Sequence, residues 1–364
     1  MDKEMDKKMT EGKVSVIIPV YNGAAWIREC LESVLSQTWG DFEILVLDDH
    51  STDGTTQIIQ DMSRKDQRIQ LILRNGKGVS AARNQGIEQS DGEYITFLDA
   101  DDKLDNRMLE RLMQYLKEEG SDMVSCGYHR WTLDFKANQE PEHREGGQNV
   151  SVGQYTLKRT EECADNYGGK AGEKYIVRTV SQKSYVADYL LHQYTHCWGS
   201  LYRRSVIGET RFREDLTIGE DMMFLVDLLP KLTKVSITDY KGYYYRINEA
   251  GVTLRPFVPA YMDEIKSWYL AADVIRKDYP ECLPRIESIL AVSGILVAGK
   301  IALLSRKDRK KYRNYVQACQ KTVKEALKVP GARENLPDGY GIKAGIFTYC
   351  PWIYLKMYHL WKSR

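Results

Sequence analysis

The fold is decided by the stretch Gly92-Glu-Tyr-Ile-Thr-Phe-Leu-Asp-Ala-Asp-Asp102. Its first half is a short apolar run of β-prone residues, and three carboxylates then arrive close together, Asp99, Asp101 and Asp102. Because strand interiors avoid Asp, the strand ends there and the chain turns. Crowded carboxylates repel one another unless a cation lies between them, and Mg²⁺ or Mn²⁺ shared with a phosphate would serve. The simpler alternative is a polar turn that caps the following helix.

Composition limits the classes of protein to consider. The sequence has 364 residues, with 52 Lys plus Arg against 51 Asp plus Glu, so no excess of positive charge argues for nucleic acid. Seven scattered cysteines without a CxxC pair predict reduced thiols and a cytoplasmic protein. The segment 1–13 is charged and lacks an apolar core, so we expect a disordered N-terminus rather than a signal peptide or an anchor.

Residues 14–127 alternate between strand and helix patterns. Near-continuous apolar strands alternate with amphipathic helices, one of them capped by Ser51 or Thr52, which predicts an α/β fold with a mostly parallel sheet covered on both faces. Ligands of such sheets bind beyond the carboxyl ends of the strands. Three groups of polar residues follow predicted strands at that edge, Pro19 to Asn22, Asp48-Asp49 and Asp99 to Asp101. Their common edge favours the metal and phosphate interpretation over an isolated acidic turn.

The remainder of the chain is predicted as follows. Residues 69–73 and 234–246 form strands, 128–178 form a variable insertion, and 179–191 form a helix. Residues 14–250 make up the α/β domain, and 256–364 a helical C-terminal region. Within that region, 289–299 are uncharged but fewer than the ~20 residues that span a bilayer, so we expect a buried helix.

Five motifs carry a family resemblance: Val14-Ser-Val-Ile-Ile-Pro-Val-Tyr-Asn22, Leu47-Asp-Asp-His-Ser-Thr-Asp-Gly54, Gly78-Val-Ser-Ala-Ala-Arg-Asn-Gln-Gly86, Phe97-Leu-Asp-Ala-Asp-Asp102 and Gly219-Glu-Asp221. In this order they resemble the family 2 glycosyltransferases of the GT-A fold, in particular bacterial enzymes that build surface polysaccharides. His50 departs from the family, since many members carry Gly or Asn there. The Gln-x-x-Arg-Trp motif of processive synthases is absent, which implies transfer of a single sugar.

The resemblance implies that residues 14–250 form a GT-A-like nucleotide-sugar-binding and catalytic domain, with the insertion 128–178 on its acceptor side. It also implies roles for individual residues. Pro19, Tyr21 and Asn22 would border the nucleotide, and Asp49 would accept a hydrogen bond from a uracil-type N3–H. Arg83 would lie near the diphosphate. Asp99 would contact the ribose or the metal shell, and Asp101 would ligate Mn²⁺ or Mg²⁺.

Asp221 would be the catalytic base, and Glu220 would orient it or contact the acceptor. A cation neutralises the leaving diphosphate, while a base on the opposite face takes the proton of the acceptor hydroxyl. One such carboxylate implies a single displacement with inversion. The alternative is a nucleotide-sugar-binding subunit that has lost turnover and acts with a partner. A nucleotidyltransferase is disfavoured, because no Gly-rich loop with Arg and Lys follows the first strand.

The acceptor side has weaker signals. Trp198, with His196 beside it, offers an aromatic face for a sugar, although core packing explains the tryptophan equally well. The segment 339–364 combines seven aromatic with four basic residues and no acid, which suits either contact with a membrane surface or a docked helix. We therefore expect a glycan or lipid-linked acceptor, a position at the inner face of the cell membrane and a possible homodimer.

Overall fold

The computed structural model describes residues 10–74, 76, 78–131, 166–168, 174–192, 194–247 and 255–362. Ten strands in these residues form one sheet in the order β3-β2-β1-β4-β9-β6-β10-β8-β7, with β5 paired to β10. The strands are β1 Thr10–Val20, β2 Phe42–Asp48, β3 Ile69–Leu73, β4 Gly92–Phe97, β5 Lys103–Leu104, β6 Met123–Trp131, β7 Asn166–Gly168, β8 Lys174–Ser181, β9 Ser200–Arg203 and β10 Lys234–Arg246.

The sheet is mixed, with a parallel half. Strands β3, β2, β1 and β4 are parallel neighbours, and β6 is parallel to β10. Strand β9 lies between β4 and β6 and is antiparallel to both, so β6 runs in the same direction as β4. This confirms the prediction of an α/β fold built on a mostly parallel sheet.

The helices follow the strands in alternation and then continue alone. They are α1 Ile27–Leu35, α2 Thr55–Ser63, α3 Gly78–Gln89, α4 Met108–Glu119, α5 Gln182–Asp188, α6 Arg204–Ile207, α7 Glu220–Leu228, α8 Met262–Asp278, α9 Leu283–Ala302, α10 Arg306–Lys311, α11 Arg313–Ala326, α12 Tyr340–Tyr349 and α13 Pro351–Lys362. Helix α1 buries Ile27, Cys30, Leu31 and Val34 on one face, as the 3.6-residue period of its apolar residues requires.

The described residues divide into two compact units. The first comprises the residues up to Tyr185, together with His196–Phe212 and Leu228–Asn248, the range that contains β10. The second comprises Val186–Thr195, Arg213–Asp227 and the C-terminal helices. The motif Gly219-Glu-Asp221 therefore belongs to the second unit, although the sequence analysis assigned it to the first domain.

In the second unit, α9 is the central helix and packs against α8, α11, α12 and α13. It approaches α11 closely because Gly294 has no side chain: a Cβ there would lie 2.9 Å from Val323 Cγ2. Pro280–Ala302 is long and apolar enough to cross a membrane by composition, but 67% of its apolar window is buried inside the protein. The buried core helix of a soluble protein can be equally long and apolar, so the length and composition of this helix are weak evidence for a transmembrane segment.

Several local predictions were wrong. Residues 179–181 lie in β8 and pair with β10, so the helix predicted over 179–191 begins only at Gln182. Pairing with a distant strand overrode the local pattern there. Strand β1 begins at Thr10 rather than Val14, and the first nine residues lie outside the described part. The insertion predicted over 128–178 is described only at 128–131, 166–168 and 174–178.

Candidate active site

Asp49 lies at the carboxyl end of β2, where it is held on two sides. Its Oδ2 accepts a hydrogen bond from the backbone N–H of Gly78 at 3.0 Å, and its Oδ1 lies 3.7 Å from the Arg74 guanidinium. Its own N–H donates to Val20 O at 2.9 Å, which joins the ends of β1 and β2. The carboxylate is thus fixed at the sheet edge, and its role in binding the nucleotide base stays a prediction.

The loop after β1 and the loop after β2 are tied together by Asn22. Its Oδ1 accepts from the Thr52 N–H at 2.8 Å, and its N–H donates to Ser51 Oγ at 2.9 Å. Ser51 and Thr52 therefore bind the neighbouring loop, and the prediction that one of them caps α2 was wrong, because Gly54 occupies the cap position. The nucleotide role of Asn22 stays a prediction.

His50 adopts a left-handed backbone conformation, with φ of 71°. Glycine and asparagine reach this region at the lowest cost, which gives a physical reason for finding them at this place in relatives. Tyr21 is 65% exposed, whereas Pro19 is buried within β1. The tyrosine ring is therefore accessible to a ligand, whereas Pro19 is enclosed in the sheet, and the nucleotide roles of both residues stay predictions.

Arg83 and Asp99 form a buried ion pair. An Nη of Arg83 donates to Asp99 Oδ1 at 2.9 Å, and the arginine side chain is only 3% exposed. The guanidinium also lies 5.2 Å from the centre of the Phe212 ring. Asp99 keeps 30% of its side chain exposed, so the pair presents a carboxylate at the surface and a cation beneath it.

Asp102 is buried, whereas Asp99 and Asp101 remain partly exposed. Its two oxygens accept from Tyr243 OH and from the backbone N–H of Arg246, each at 2.7 Å. Burial, together with the charges of Asp99 and Asp101, raises the pKa of Asp102 to about 8. It does not cap α4, which was the simpler alternative for this turn, since β5 intervenes and Arg107 occupies the cap position. Its hydrogen bonds instead hold the acidic turn against β10.

Arg246 is a site residue that the sequence analysis missed. Its Nε donates to Asp101 O and an Nη to Glu29 Oε2, both at 2.7 Å. The guanidinium stacks 4.3 Å from the centre of the Trp26 ring. Since Arg246 ends the predicted strand 234–246 at the ligand-binding edge, the rule that located Asp49 and Asp99 could also have found it.

Trp198 lies in the core of the first unit and is 8% exposed. Its ring stacks on His196 at 3.7 Å and on Tyr243 at 4.3 Å between centroids. Packing accounts for the tryptophan, and little of the ring is accessible to a sugar. An acceptor role for Trp198 and His196 stays a prediction.

Asp221 and Glu220 lie in the first turn of α7, in the second unit. The loop before them is held by the first turns of α8: Thr217 N–H donates to Asp263 Oδ2 at 2.8 Å, and Lys266 Nζ lies 2.6 Å from Asp215 Oδ2. Gly219 has φ of 85°, and a Cβ on it would lie 2.2 Å from Ser267 Oγ. The C-terminal helices thus position the loop that carries the predicted base.

The parallel half-sheet with carboxylates at its carboxyl edge is the arrangement that the resemblance to the GT-A fold leads us to expect. The chain belongs to glycosyl transferase family 2, whose family model matches residues 15–209. Among curated relatives, EpsJ of Bacillus subtilis, described as an uncharacterized glycosyltransferase, is 28% identical over 71% of this chain and 68% of EpsJ. GlyA of Streptococcus pneumoniae serotype 4, a glycosyltransferase, is 28% identical over 67% of this chain, which spans 32% of GlyA.

Solved structures agree on the fold. A crystal structure of S. aureus TarS 1–349 in complex with UDP-GlcNAc superposes with a TM-score of 0.64 and 19% identity, covering 96% of this chain and 91% of that one. A second TarS structure, in complex with UDP, gives a TM-score of 0.62. At this identity the likeness concerns the fold alone.

Proposed function

We propose that this glycosyltransferase is inverting and moves a single sugar from a nucleoside-diphosphate sugar, with UDP as the favoured nucleotide, to a hydroxyl of a glycan or lipid-linked acceptor. The observation that carries the proposal is the position of Asp49 and Asp99 at the carboxyl ends of β2 and β4, the two parallel strands that flank β1, with Arg83 of α3 paired to Asp99. In this arrangement Asp49 binds the base, while Arg83 and Asp99 face the ribose and diphosphate. TarS, which has a similar fold, was crystallised with UDP-GlcNAc, which supports a uridine donor.

A divalent cation fits the donor set. Mg²⁺ and Mn²⁺ are held by one or two carboxylates together with substrate phosphates, rather than by a cage of protein ligands. Asp101 and Asp99 retain exposure, and in the described residues no group of three His, Cys, Asp or Glu side chains converges on a metal position. Asp101, with Asp99, would hold the cation. When bound, it neutralises charge on the leaving diphosphate.

Asp221 is proposed as the base that takes the proton of the acceptor hydroxyl. Its support is the match of Gly219-Glu-Asp221 to the family motif, together with the anchored loop that fixes Gly219. Glu220 would orient Asp221 or contact the acceptor. A cytoplasmic location, contact with the membrane through residues 339–364 and a homodimer are further proposals, and the transfer reaction requires none of them.

The test compares Asp221→Asn with Asp273→Asn, which removes the same charge from an exposed position of α8. Hydrolysis of UDP-GlcNAc and other UDP-hexoses is measured with Mn²⁺, and UDP binding by calorimetry. We expect Asp221→Asn to bind UDP like the wild type but to lose at least about 100-fold in hydrolysis, as for a general base. Asp273→Asn should match the wild type in both.

Undiminished hydrolysis by Asp221→Asn would refute the base. Absence of hydrolysis by the wild type across a panel of nucleotide sugars, with UDP binding retained, would instead favour a binding subunit that acts with a partner.

A further inference from the structure

Helix α13 is apolar on its outward face as well as on its inward face. Tyr354 and Leu355 are buried, with Tyr354 OH 3.4 Å from Ile295 O of α9. The opposite side exposes five large apolar side chains, each by 51–56%: Trp352, Ile353, Met357, Leu360 and Trp361. Lys356, between Ile353 and Met357 in the chain, is exposed as well, so the outward face of α13 is a largely apolar surface with a positive charge on it.

Helix α12, which ends one residue before α13 begins and packs against it, carries two more exposed apolar side chains. Ile342 is 74% exposed and Tyr349 is 79% exposed, and both precede α13 by a short connection. The five α13 side chains together with these two are named the apolar patch. Single exposed apolar residues need no explanation, but seven on two consecutive helices mark an interaction surface.

A basic helix adjoins the apolar patch. Helix α10 and the residue that opens α11 contribute six cations against one acid, namely Arg306, Lys307, Arg309, Lys310, Lys311 and Arg313 against Asp308. Arg309 donates to Ala302 O, and His359 of α13 lies 3.0 Å from the same oxygen. The Arg313 guanidinium also lies 5.4 Å from the centre of the Trp352 ring. The positive charge therefore borders the exposed aromatic rings.

We propose that the apolar patch and α10 together dock on the surface of a bilayer that contains anionic phospholipid. Tryptophan and tyrosine rings beside lysine and arginine are the side chains that bind at the level of lipid headgroups. The segment 339–364 contains no acid that anionic headgroups would repel. The inference concerns a surface of the second unit and does not depend on the proposed reaction.

A second copy of this chain is the less suitable occupant. In a two-fold symmetric contact the same patch faces itself, so the two α10 helices would be brought toward each other. Like charges in close apposition oppose such a contact. An anionic lipid surface instead complements the charge and also buries the apolar side chains.

The experiment is co-sedimentation of the full chain with large unilamellar vesicles. Vesicles of phosphatidylcholine alone are compared with an equimolar mixture of phosphatidylcholine and phosphatidylglycerol. We expect binding to the mixed vesicles that weakens as salt is raised. Replacing Lys310 and Lys311 with Gln should weaken binding about fivefold for each charge. Leu360→Ser should weaken it about tenfold through lost apolar burial.

Matched controls change the same residue types on the first unit. Leu73→Ser removes a leucine that is 61% exposed, and Arg64→Gln with Lys65→Gln removes two exposed cations. These variants should bind the mixed vesicles like the wild type. Circular dichroism verifies that every variant is folded.

Failure of the wild type to bind the mixed vesicles would overturn the proposal, and so would equal losses in the controls. Light scattering without vesicles reports a second copy as occupant. A dimer that Leu360→Ser dissociates, with no vesicle binding by the wild type, would assign the patch to self-association instead.

Discussion

Gly219→Ala tests whether α8 positions the loop of the predicted base. An alanine must adopt the φ of 85°, which costs an L-residue about 1–2 kcal/mol. Its Cβ would also lie 2.2 Å from Ser267 Oγ and 2.6 Å from Ser267 Cβ. Forcing a methyl group into such space costs about 1–3 kcal/mol. We therefore expect the free energy of unfolding of the variant to fall by about 2–5 kcal/mol, measured by urea denaturation.

The two contributions can be separated with variants of the same unit. Gly339 has φ of 75°, and within the described part of the chain a Cβ added to it would meet no atom within 4 Å, so Gly339→Ala measures the backbone cost alone. Ser267→Gly removes both clashing atoms, whereas Ser267→Ala keeps the Cβ. Combined with Gly219→Ala, Ser267→Gly should recover about 1–3 kcal/mol in a double-mutant cycle, and Ser267→Ala less.

Activity gives an independent readout of the same loop. A displacement of about 1 Å in a positioned group can cost about 100-fold in rate. Gly219→Ala should therefore lower the kcat for donor hydrolysis by that order, and Ser267→Gly should partly restore it. Purely additive stabilities in the cycle, or an equal loss in Gly219→Ala and Gly339→Ala, would refute the contact with Ser267.

Two further predictions concern carboxylates. Asp49→Asn should weaken UDP binding by about 10-fold or more in calorimetry, since a bond to a charged group contributes about 1.5–3 kcal/mol; an unchanged Kd would exclude Asp49 from base recognition. Burial raises the pKa of Glu264, whose Oε1 accepts from Ser293 Oγ and Trp268 Nε1, each at 3.0 Å. Because the folded state favours the protonated form of Glu264, protonation stabilises the folded protein at pH values below the ordinary pKa of 4.5. This stabilisation is lost as the pH rises through the pKa of the folded state. Glu264→Gln should therefore be more stable than the wild type at neutral pH, with a difference that shrinks as the pH falls toward that value in denaturation series.

The sequence was sufficient for the parallel half-sheet because each of its strands is a short apolar run between clear helix patterns. The strands predicted over Ile69–Leu73 and Lys234–Arg246 are confirmed. The whole of strand β8 was missed, because its first residues were assigned to the insertion and its last to a helix. Its pairing with β10, for example Thr179 with Ser236, depends on contacts that no local pattern contains.

The same limit applied to the site. Asp49 and Asp99 follow predicted strands and could be located from the sequence. Arg246 could not be paired with Glu29 in advance, since 217 residues separate them in the chain. The contact of Gly219 with Ser267 likewise requires the packing of α8 to be known.

The hydrogen bonds between β10 and the acidic turn affect when the site can form during biosynthesis. Tyr243 and Arg246 bond to a residue, Asp102, that precedes them by 141 and 144 positions. A nascent chain emerges from its N-terminus, so the turn of Asp99 to Asp102 leaves the ribosome well before the strand that fixes it. Until β10 has been synthesised, the carboxylates of Asp99, Asp101 and Asp102 lie close together in the chain without Tyr243 and Arg246. Contacts between residues this far apart in the sequence also form slowly. The proposed donor site therefore acquires its bonds to β10 late in synthesis, and a chain truncated before β10 would lack them.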